Sequence, residues 1–191
     1  MFFGLMKNWF WMVIVAFLIL ISCLTAIVTI LTPNPKLFHE TEPFTGHKIL
    51  DVPFARQKPW FCSEASASMV LQYYGYNLTQ DQINAMGFDR FENMLPLLER
   101  YVPCRYAHLT FEDVKKEIDE GDPIIARISV NGILHSVVIV GYSNGHLIIH
   151  DPAIGPFLEI DPQEFYNSWR LTNNLAIIFG EEKLILSLLS Y

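Results

Sequence analysis

The chain has 191 residues, enough for one domain and an additional segment, and its formal net charge is −7. An acidic chain offers no basic face for a polyanion, so we expect no nucleic-acid partner. Its three cysteines, one of them in an apolar segment, do not make a disulfide framework. The cysteines therefore point to thiol chemistry rather than to covalent cross-linking.

The first feature along the chain is an apolar segment, residues 9–31, that carries no charged side chain. As a helix it would be about 34 Å long at ~1.5 Å per residue, enough to cross a bilayer. Its aromatic start suits a membrane interface, and we predict a single-pass transmembrane helix. The alternatives are a cleaved signal peptide and a lipoprotein anchored through Cys23. The residues after Cys23 stay apolar, which argues against the lipoprotein.

Residues 32–48 contain several prolines and form a predicted linker to a domain over residues 49–180, which a tail over residues 181–191 follows. Lysines on the two sides of the apolar segment nearly balance, so they give little information on membrane orientation. The triplet at residues 77–79, Asn-Leu-Thr, is an N-glycosylation acceptor pattern that suits an exported domain. We therefore expect the domain on the extracytoplasmic side of the membrane.

The first half of the domain has the pattern of helices. Apolar residues recur at helical spacing after Cys62, and Gly75 supplies the stop signal for that helix. Thr110 is a predicted N-cap, and acidic residues follow it in the first turn of the last helix of this half. The predicted elements are a short strand at 49–52 and helices at 62–74, 79–86, 91–101 and 110–120.

After Gly121 the pattern changes to strands. Two Asn-Gly pairs between apolar runs are strong hairpin signals. Asp161 and Pro162 begin a short helix that ends near Trp169. Because helices precede an antiparallel sheet, we predict an α+β domain. The predicted strands are residues 123–130, 133–142, 146–150, 157–160 and 175–179.

Cys62 is the first candidate for chemistry because it lies at the start of a predicted helix. Unpaired N–H groups and the positive end of the helix dipole would stabilise a thiolate there. Glu64 in the same turn would oppose that effect unless its carboxylate points outward. A cysteine on an apolar helix is more often a small buried apolar residue, so position alone does not make Cys62 a nucleophile.

His135 opens an apolar strand, and Asp151 follows the next strand. With a two-residue Asn-Gly loop, Asp151 would oppose Val138 and lie on the other side of the sheet from His135. A three-residue loop or an equivalent bulge would place Asp151 opposite Val137, a diagonal neighbour of His135 on the same face and within hydrogen-bonding reach. Each residue also has an ordinary interpretation, as a backbone-bonded histidine and a turn-initiating aspartate.

Gln57 lies shortly before Cys62 and completes a set of four. Attack by a thiolate on an amide needs a nucleophile, a base, a group that fixes the base and a donor for the oxyanion. The chain supplies one candidate for each of these roles, in the same order: Cys62, His135, Asp151 and Gln57. Gln57 alone could be ordinary loop polarity, and the joint order and spacing of the four residues give the pattern its weight.

Several sequence motifs of the chain also resemble those of a known family. Three motifs follow one another along the chain: Gln-x4-Cys at the start of a helix that ends Tyr-Tyr-Gly, then His-Ser-Val-Val-Ile-Val-Gly-Tyr, and then Asp-Pro-Ala. Together they resemble the bacteriocin-processing (double-glycine leader) peptidase-like family of papain-like cysteine peptidases. Phe165-x3-Trp169 before a last strand is similar to that family too. The resemblance covers about residues 49–180 and implies the papain-like cysteine peptidase fold.

By this resemblance Cys62 is the nucleophile, His135 the general base and Asp151 the group that orients the imidazole. Gln57 and the Cys62 backbone N–H would hold the oxyanion. Two departures from the family pattern are Ser63, where the family usually has glycine, and a sequence without the ABC transporter often fused to such domains.

From these features we expect a membrane-anchored thiol peptidase that hydrolyses peptide or isopeptide bonds in a peptide or protein substrate, without a cofactor. The alternatives are a catalytically silent peptide-binding domain and an acyl transferase that uses the same triad. We expect no metal site from His135, His146, His150 and Asp151, because neighbouring strand residues 150 and 151 face opposite sides of a sheet.

Overall fold

The structure is a computed structural model and describes residues 44–180. Five α-helices lie in this part of the chain, and a 3-10 helix, Arg170–Thr172, follows the last of them. The α-helices are α1 (Cys62–Tyr73), α2 (Gln80–Ala85), α3 (Phe91–Leu98), α4 (Phe111–Glu120) and α5 (Pro162–Trp169).

One antiparallel sheet of seven strands follows the order β2-β7-β3-β4-β5-β6, and β1 pairs with the end of β4. The strands are β1 (His47–Ile49), β2 (Cys104–His108), β3 (Ile124–Val130), β4 (Ile133–Ser143), β5 (His146–Asp151), β6 (Gly155–Ile160) and β7 (Leu175–Phe179). Most helices precede most strands along the chain, which confirms the predicted α+β class.

Two strands differ most from the sequence prediction, and two further elements differ in length: α3 ends at Leu98 rather than at residue 101, and β6 begins at Gly155 rather than at residue 157. Strand β2 was not predicted, and β1 lies over residues 47–49 rather than 49–52. Both are short strands that pair along a single neighbour, β2 with β7 and β1 with β4. Their own residues give little period-2 apolar signal, so the pairing partner rather than the local sequence decides that they are strands.

The predicted membrane segment, residues 9–31, lies outside the described residues, as do the tail at 181–191 and most of the linker at 32–48. Within residues 44–180, no helix is both long and apolar enough to cross a bilayer. The membrane helix therefore stays a prediction from the sequence.

Helix α1 is the central packing element, because its small side chains allow it to lie close to the sheet. Residues 63–71 are all buried, and Ala65 and Ala67 have no exposed surface. The Ser66 hydroxyl donates to the backbone carbonyl of Ser136 on β4 at 3.3 Å. The helix ends as predicted before Gly75, whose φ of 88° is readily available only to glycine.

The register between β4 and β5 changes part-way along the hairpin. Near the Asn-Gly turn His146 pairs with Ser143, the register of a two-residue loop. A β-bulge between Ile139 and Gly141 then shifts the pairing, so that Val138 opposes His150. This bulge is the equivalent of the three-residue loop that the sequence analysis required for the triad.

Candidate active site

Cys62 is the first residue of α1, where the sequence analysis placed it. The N-cap residue, Phe61, makes no side-chain hydrogen bond to the first turn. The free N–H groups of this helix end therefore favour a negative charge on the sulfur. The backbone of Ser136 also acts to lower the pKa of the Cys62 thiol. Glu64, the acidic residue of this turn, does not point outward as the sequence analysis required. It is buried, its Oε1 accepts from Asn84 Nδ2 at 2.9 Å, and burial raises its pKa, which favours the uncharged form.

His135 and Asp151 lie together as the bulged register requires. The His135 Nε2–H donates to Asp151 Oδ1 at 2.9 Å, and both side chains are mostly buried. The same carboxylate oxygen accepts from the backbone N–H groups of Ala153 at 2.8 Å and Ile154 at 3.3 Å. Asp151 is thus a turn-forming aspartate as well as the partner of His135. Because Nε2 is engaged, Nδ1 is the ring nitrogen left for the thiol.

Cys62 and His135 favour a thiolate–imidazolium pair. Burial acts to raise the pKa of the Cys62 thiol, but the contacts with His135 and Ser136 outweigh it, so that this pKa lies below its ordinary value. Burial acts to lower the pKa of His135, but Asp151 and Cys62 together raise it to about 9. The pKa of Asp151 is lowered because its bond to His135 outweighs the effect of burial. His135 and Asp151 are then charged at neutral pH, and both the lowered pKa of the thiol and the imidazolium beside it favour the thiolate form of Cys62.

Gln57 lies on the loop before α1 and lines the same cleft as Cys62. Its backbone N–H donates to the Pro152 carbonyl at 2.9 Å, which ties this loop to the residue after Asp151. The Gln80 side chain also bridges the loop, since it binds the backbone of Arg56 and Lys58 on the two sides of Gln57. Gln57 Oε1 is buried and, among residues 44–180, has no hydrogen-bond partner. A half-turn of the amide about its last torsion would exchange Oε1 and Nε2 and present the N–H in its place.

The cleft has a volume of about 450 Å³ and contains all four predicted site residues in its lining. Four of the lining side chains are large, apolar and exposed: Trp60 is 83% exposed, and Ile133, Leu134 and Ile154 are each at least half exposed. Trp60 has a φ of 69°, which is rare and strained for a large side chain. Charged side chains of Asp89, Arg90 and Arg127 also line the cleft.

Three polar residues next to Cys62 did not emerge from the sequence analysis as site residues. Ser63, Ser136 and Arg127 are 3%, 0% and 7% exposed and are hydrogen-bonded to one another. A signal for Arg127 was present in the sequence, because it is a charged residue inside the apolar run of β3 and a buried charge needs partners.

The metal site considered from the sequence is not assembled. Both ring nitrogens of His150 are engaged by backbone groups, Nε2 with the Val52 carbonyl at 2.9 Å and Nδ1 with the Phe157 N–H at 3.0 Å. His146 is exposed, and its Nδ1 lies 3.2 Å from the Asn144 carbonyl oxygen.

Comparison with protein families matches residues 49–177 to the Peptidase_C39 like family. The match covers more than half of the chain, and the chain therefore belongs to this family. This confirms the family that the sequence motifs indicated. Among curated proteins none matches the chain.

Solved structures share the fold. A candidate C39-like peptidase from Bacillus anthracis superposes with a TM-score of 0.63 at 17% identity, over 71% of this chain and 98% of that one. A double glycine motif protease from an AMS/PCAT transporter, in complex with its leader peptide, gives 0.56 at 23% identity, over 70% and 95%. The peptidase domain of Streptococcus ComA, a bifunctional ABC transporter of a quorum-sensing pathway, gives 0.51 at 17% identity, over 71% and 100%. Family and fold together indicate a cysteine peptidase.

Proposed function

We propose that the protein is a thiol peptidase in which Cys62 is the nucleophile, His135 the general base and Asp151 the group that orients His135. The position of His135 supports this proposal most. One of its ring nitrogens is held by Asp151, and its contact with Cys62 lowers the pKa of that thiol. A thiol, a base and a carboxylate in this order are what a cysteine peptidase needs.

In the acylation step the Cys62 thiolate attacks the carbonyl carbon of the scissile amide, and a C–S bond forms while the carbonyl oxygen becomes an oxyanion. The Gln57 side-chain N–H and the Cys62 backbone N–H donate to that oxyanion. The His135 imidazolium then gives its proton to the leaving nitrogen. The C–N bond breaks, the amine product leaves, and a thioester to Cys62 remains.

In the deacylation step water attacks the thioester, and His135 accepts a proton from that water. The C–S bond breaks as the tetrahedral intermediate collapses, and the carboxylic acid product leaves. This restores the Cys62 thiolate and the His135 imidazolium. Throughout, the charge of Asp151 stabilises the protonated ring and keeps Nδ1 aimed at the sulfur.

The cleft supports a peptide substrate with an apolar side chain close to the scissile bond. The exposed indole of Trp60 and the side chains of Ile133, Leu134 and Ile154 form an apolar rim around Cys62. Burial of one large apolar side chain against such a rim contributes about 1.5–3 kcal/mol. One fold neighbour was solved with a leader peptide, which is consistent with a peptide ligand here.

We also propose that residues 9–31 hold the domain at the extracytoplasmic face of a membrane. Their length and freedom from charge support a transmembrane helix. The proline-rich linker would give the domain a short reach, so the substrates would be proteins or peptides at the membrane surface.

Comparison of protein termini tests the peptidase function and does not require an identified substrate. Cells that make the native protein and cells that make Cys62→Ala are compared by mass spectrometry of new amino termini. We expect termini that occur only with the native protein, enriched in apolar residues beside the cleavage point. A set of termini that does not depend on Cys62 would contradict the peptidase and favour a silent binding domain.

A further inference from the structure

A row of three buried polar side chains ends at the Cys62 sulfur. Arg127 Nη1 on β3 donates to Ser136 Oγ on β4 at 3.3 Å. Ser136 Oγ lies 3.0 Å from Ser63 Oγ on α1, and Ser63 Oγ lies 4.0 Å from Cys62 Sγ. The row therefore joins two strands and the central helix at the nucleophile.

The chemistry of the two ends gives this row a direction. An arginine side chain has only donors, so the Ser136 hydroxyl oxygen must accept from Arg127. A thiolate at the other end can only accept. The hydroxyl protons of Ser136 and Ser63 then both point the same way, from Ser136 to Ser63 and from Ser63 to the sulfur of Cys62.

We propose that Arg127, Ser136 and Ser63 form a directed hydrogen-bond relay that aims the Ser63 hydroxyl at the Cys62 sulfur and stabilises its negative charge. This inference rests on the proposed role of Cys62 as the nucleophile. Ser63 acts on the sulfur itself, whereas Ser136 and Arg127 are positioning residues that act through Ser63. Hydrogen bonds to a charged acceptor are about twice as strong as neutral ones, so the relay acts mainly on the thiolate.

The surroundings of the relay suit this role. Arg127 is held by a second contact, from Nη2 to Glu92 Oε1 at 3.0 Å, and its guanidinium carbon lies 5.4 Å from the centre of the Phe91 ring. The arginine is therefore fixed independently of the serines. Burial acts to raise the pKa of the Cys62 thiol, and the Ser63 hydroxyl is among the groups that lower it, together with His135.

Two buried serines of α1 provide a matched pair for the test. Ser63 and Ser66 both contact Ser136, but Ser66 binds its backbone carbonyl at 3.3 Å and lies outside the relay. The rate of iodoacetamide alkylation of Cys62 is measured against pH in the full-length protein, with the site resolved by peptide mass spectrometry. The pH at which the rate reaches half of its maximum is the midpoint. For Ser63→Ala we expect this midpoint to move upward by about half a pH unit, which makes the rate below the midpoint about threefold lower. For Ser66→Ala we expect the native midpoint.

A second comparison tests the arginine end. Arg127→Gln should move the midpoint in the same direction as Ser63→Ala, and the double variant should move it no further, because both changes break one relay. Glu92→Gln removes the ion pair of Arg127 and leaves the relay, so it should keep the native midpoint. If Arg127→Gln does not fold, the two serine variants still decide the question.

The relay is contradicted if Ser63→Ala keeps the native midpoint or if Ser66→Ala shifts it equally. Failure of the relay can be distinguished from failure of the proposed peptidase function. A native Cys62 that is unreactive at neutral pH would overturn the peptidase. A reactive native Cys62 with an unchanged Ser63→Ala profile would overturn the relay alone.

Discussion

Asp151 uses a single carboxylate oxygen for two purposes, the turn after β5 and the orientation of His135. Its Oδ1 accepts from two backbone N–H groups of the turn and from His135 Nε2. The turn needs only an acceptor, whereas the imidazolium also needs a negative charge. A substitution that keeps the acceptor and removes the charge therefore tests the orientation of His135 while it preserves the turn.

Asp151→Asn should keep the fold and lose activity. The asparagine oxygen can still accept from the turn, but the pKa of His135 falls and the ring loses its fixed tautomer. We expect turnover to fall by about 10²–10⁴ with little change in the thermal unfolding midpoint. Asp161→Asn is the control, since asparagine caps α5 as well as aspartate does. Native turnover in Asp151→Asn would exclude the orienting role.

Gln57→Ala tests the oxyanion donor. The side chain would bond the oxyanion more strongly than the ground-state carbonyl, so its loss should lower kcat by about 10²–10³ and change KM little. Gln163→Ala, an exposed glutamine on α5, is the matched control and should retain native kinetics. A change confined to KM would show that Gln57 contributes to substrate binding rather than to the oxyanion hole.

At the scale of elements, the bulge between Ile139 and Gly141 brings His135 and Asp151 to the same face of the sheet. Strand β1 pairs with β4 at this point. A Cβ atom at Gly141 would overlap the Lys48 carbonyl oxygen. The backbone of β4 can follow its course beside β1 only if residue 141 has no side chain.

Gly141→Ala should therefore destabilise the domain and disturb the site together. We expect the free energy of unfolding in urea to fall by about 1–3 kcal/mol, as for other overpacked positions, and alkylation of Cys62 to slow. Gly155→Ala on β6 is the control, because a Cβ there meets its nearest atom, on Leu158, only at 3.9 Å. Equal effects of the two substitutions would contradict the close approach of β1.

The elements also explain how far the sequence could predict this domain. Caps at Thr110 and Asp161 and the Asn-Gly turns are local signals, so the helices and hairpins they bound were predicted correctly. Strand β2 was missed because only its pairing with β7 makes it a strand. The sequence leaves both registers of this hairpin open, although Gly141, a glycine inside a strand pattern, favours a bulge. Ser136 and Arg127 meet only through the register of β3 and β4, which no local pattern gives.

At the scale of the whole molecule, the described domain contains every residue of the proposed chemistry, while the predicted membrane segment lies outside it. Deletion of residues 1–32 should therefore give a soluble protein whose Cys62 reacts as in the full-length chain, with loss of the physiological substrates. The full-length protein, as the control, should sediment with membranes. A truncated chain that does not fold, or a mature protein lipidated at Cys23, would contradict the tether.

Alkylation of Cys62 at neutral pH is the sharpest test of the proposed active site, because it reports the thiolate–imidazolium pair without a substrate. Site-resolved rates are compared between the native protein and His135→Ala. Cys104 is an internal reference, since burial raises its pKa to about 12. We expect native Cys62 to react far faster than Cys104, and His135→Ala to slow it about tenfold or more, since loss of the imidazolium raises the thiol pKa. A native Cys62 that reacts no faster than in His135→Ala would exclude the thiolate–imidazolium pair.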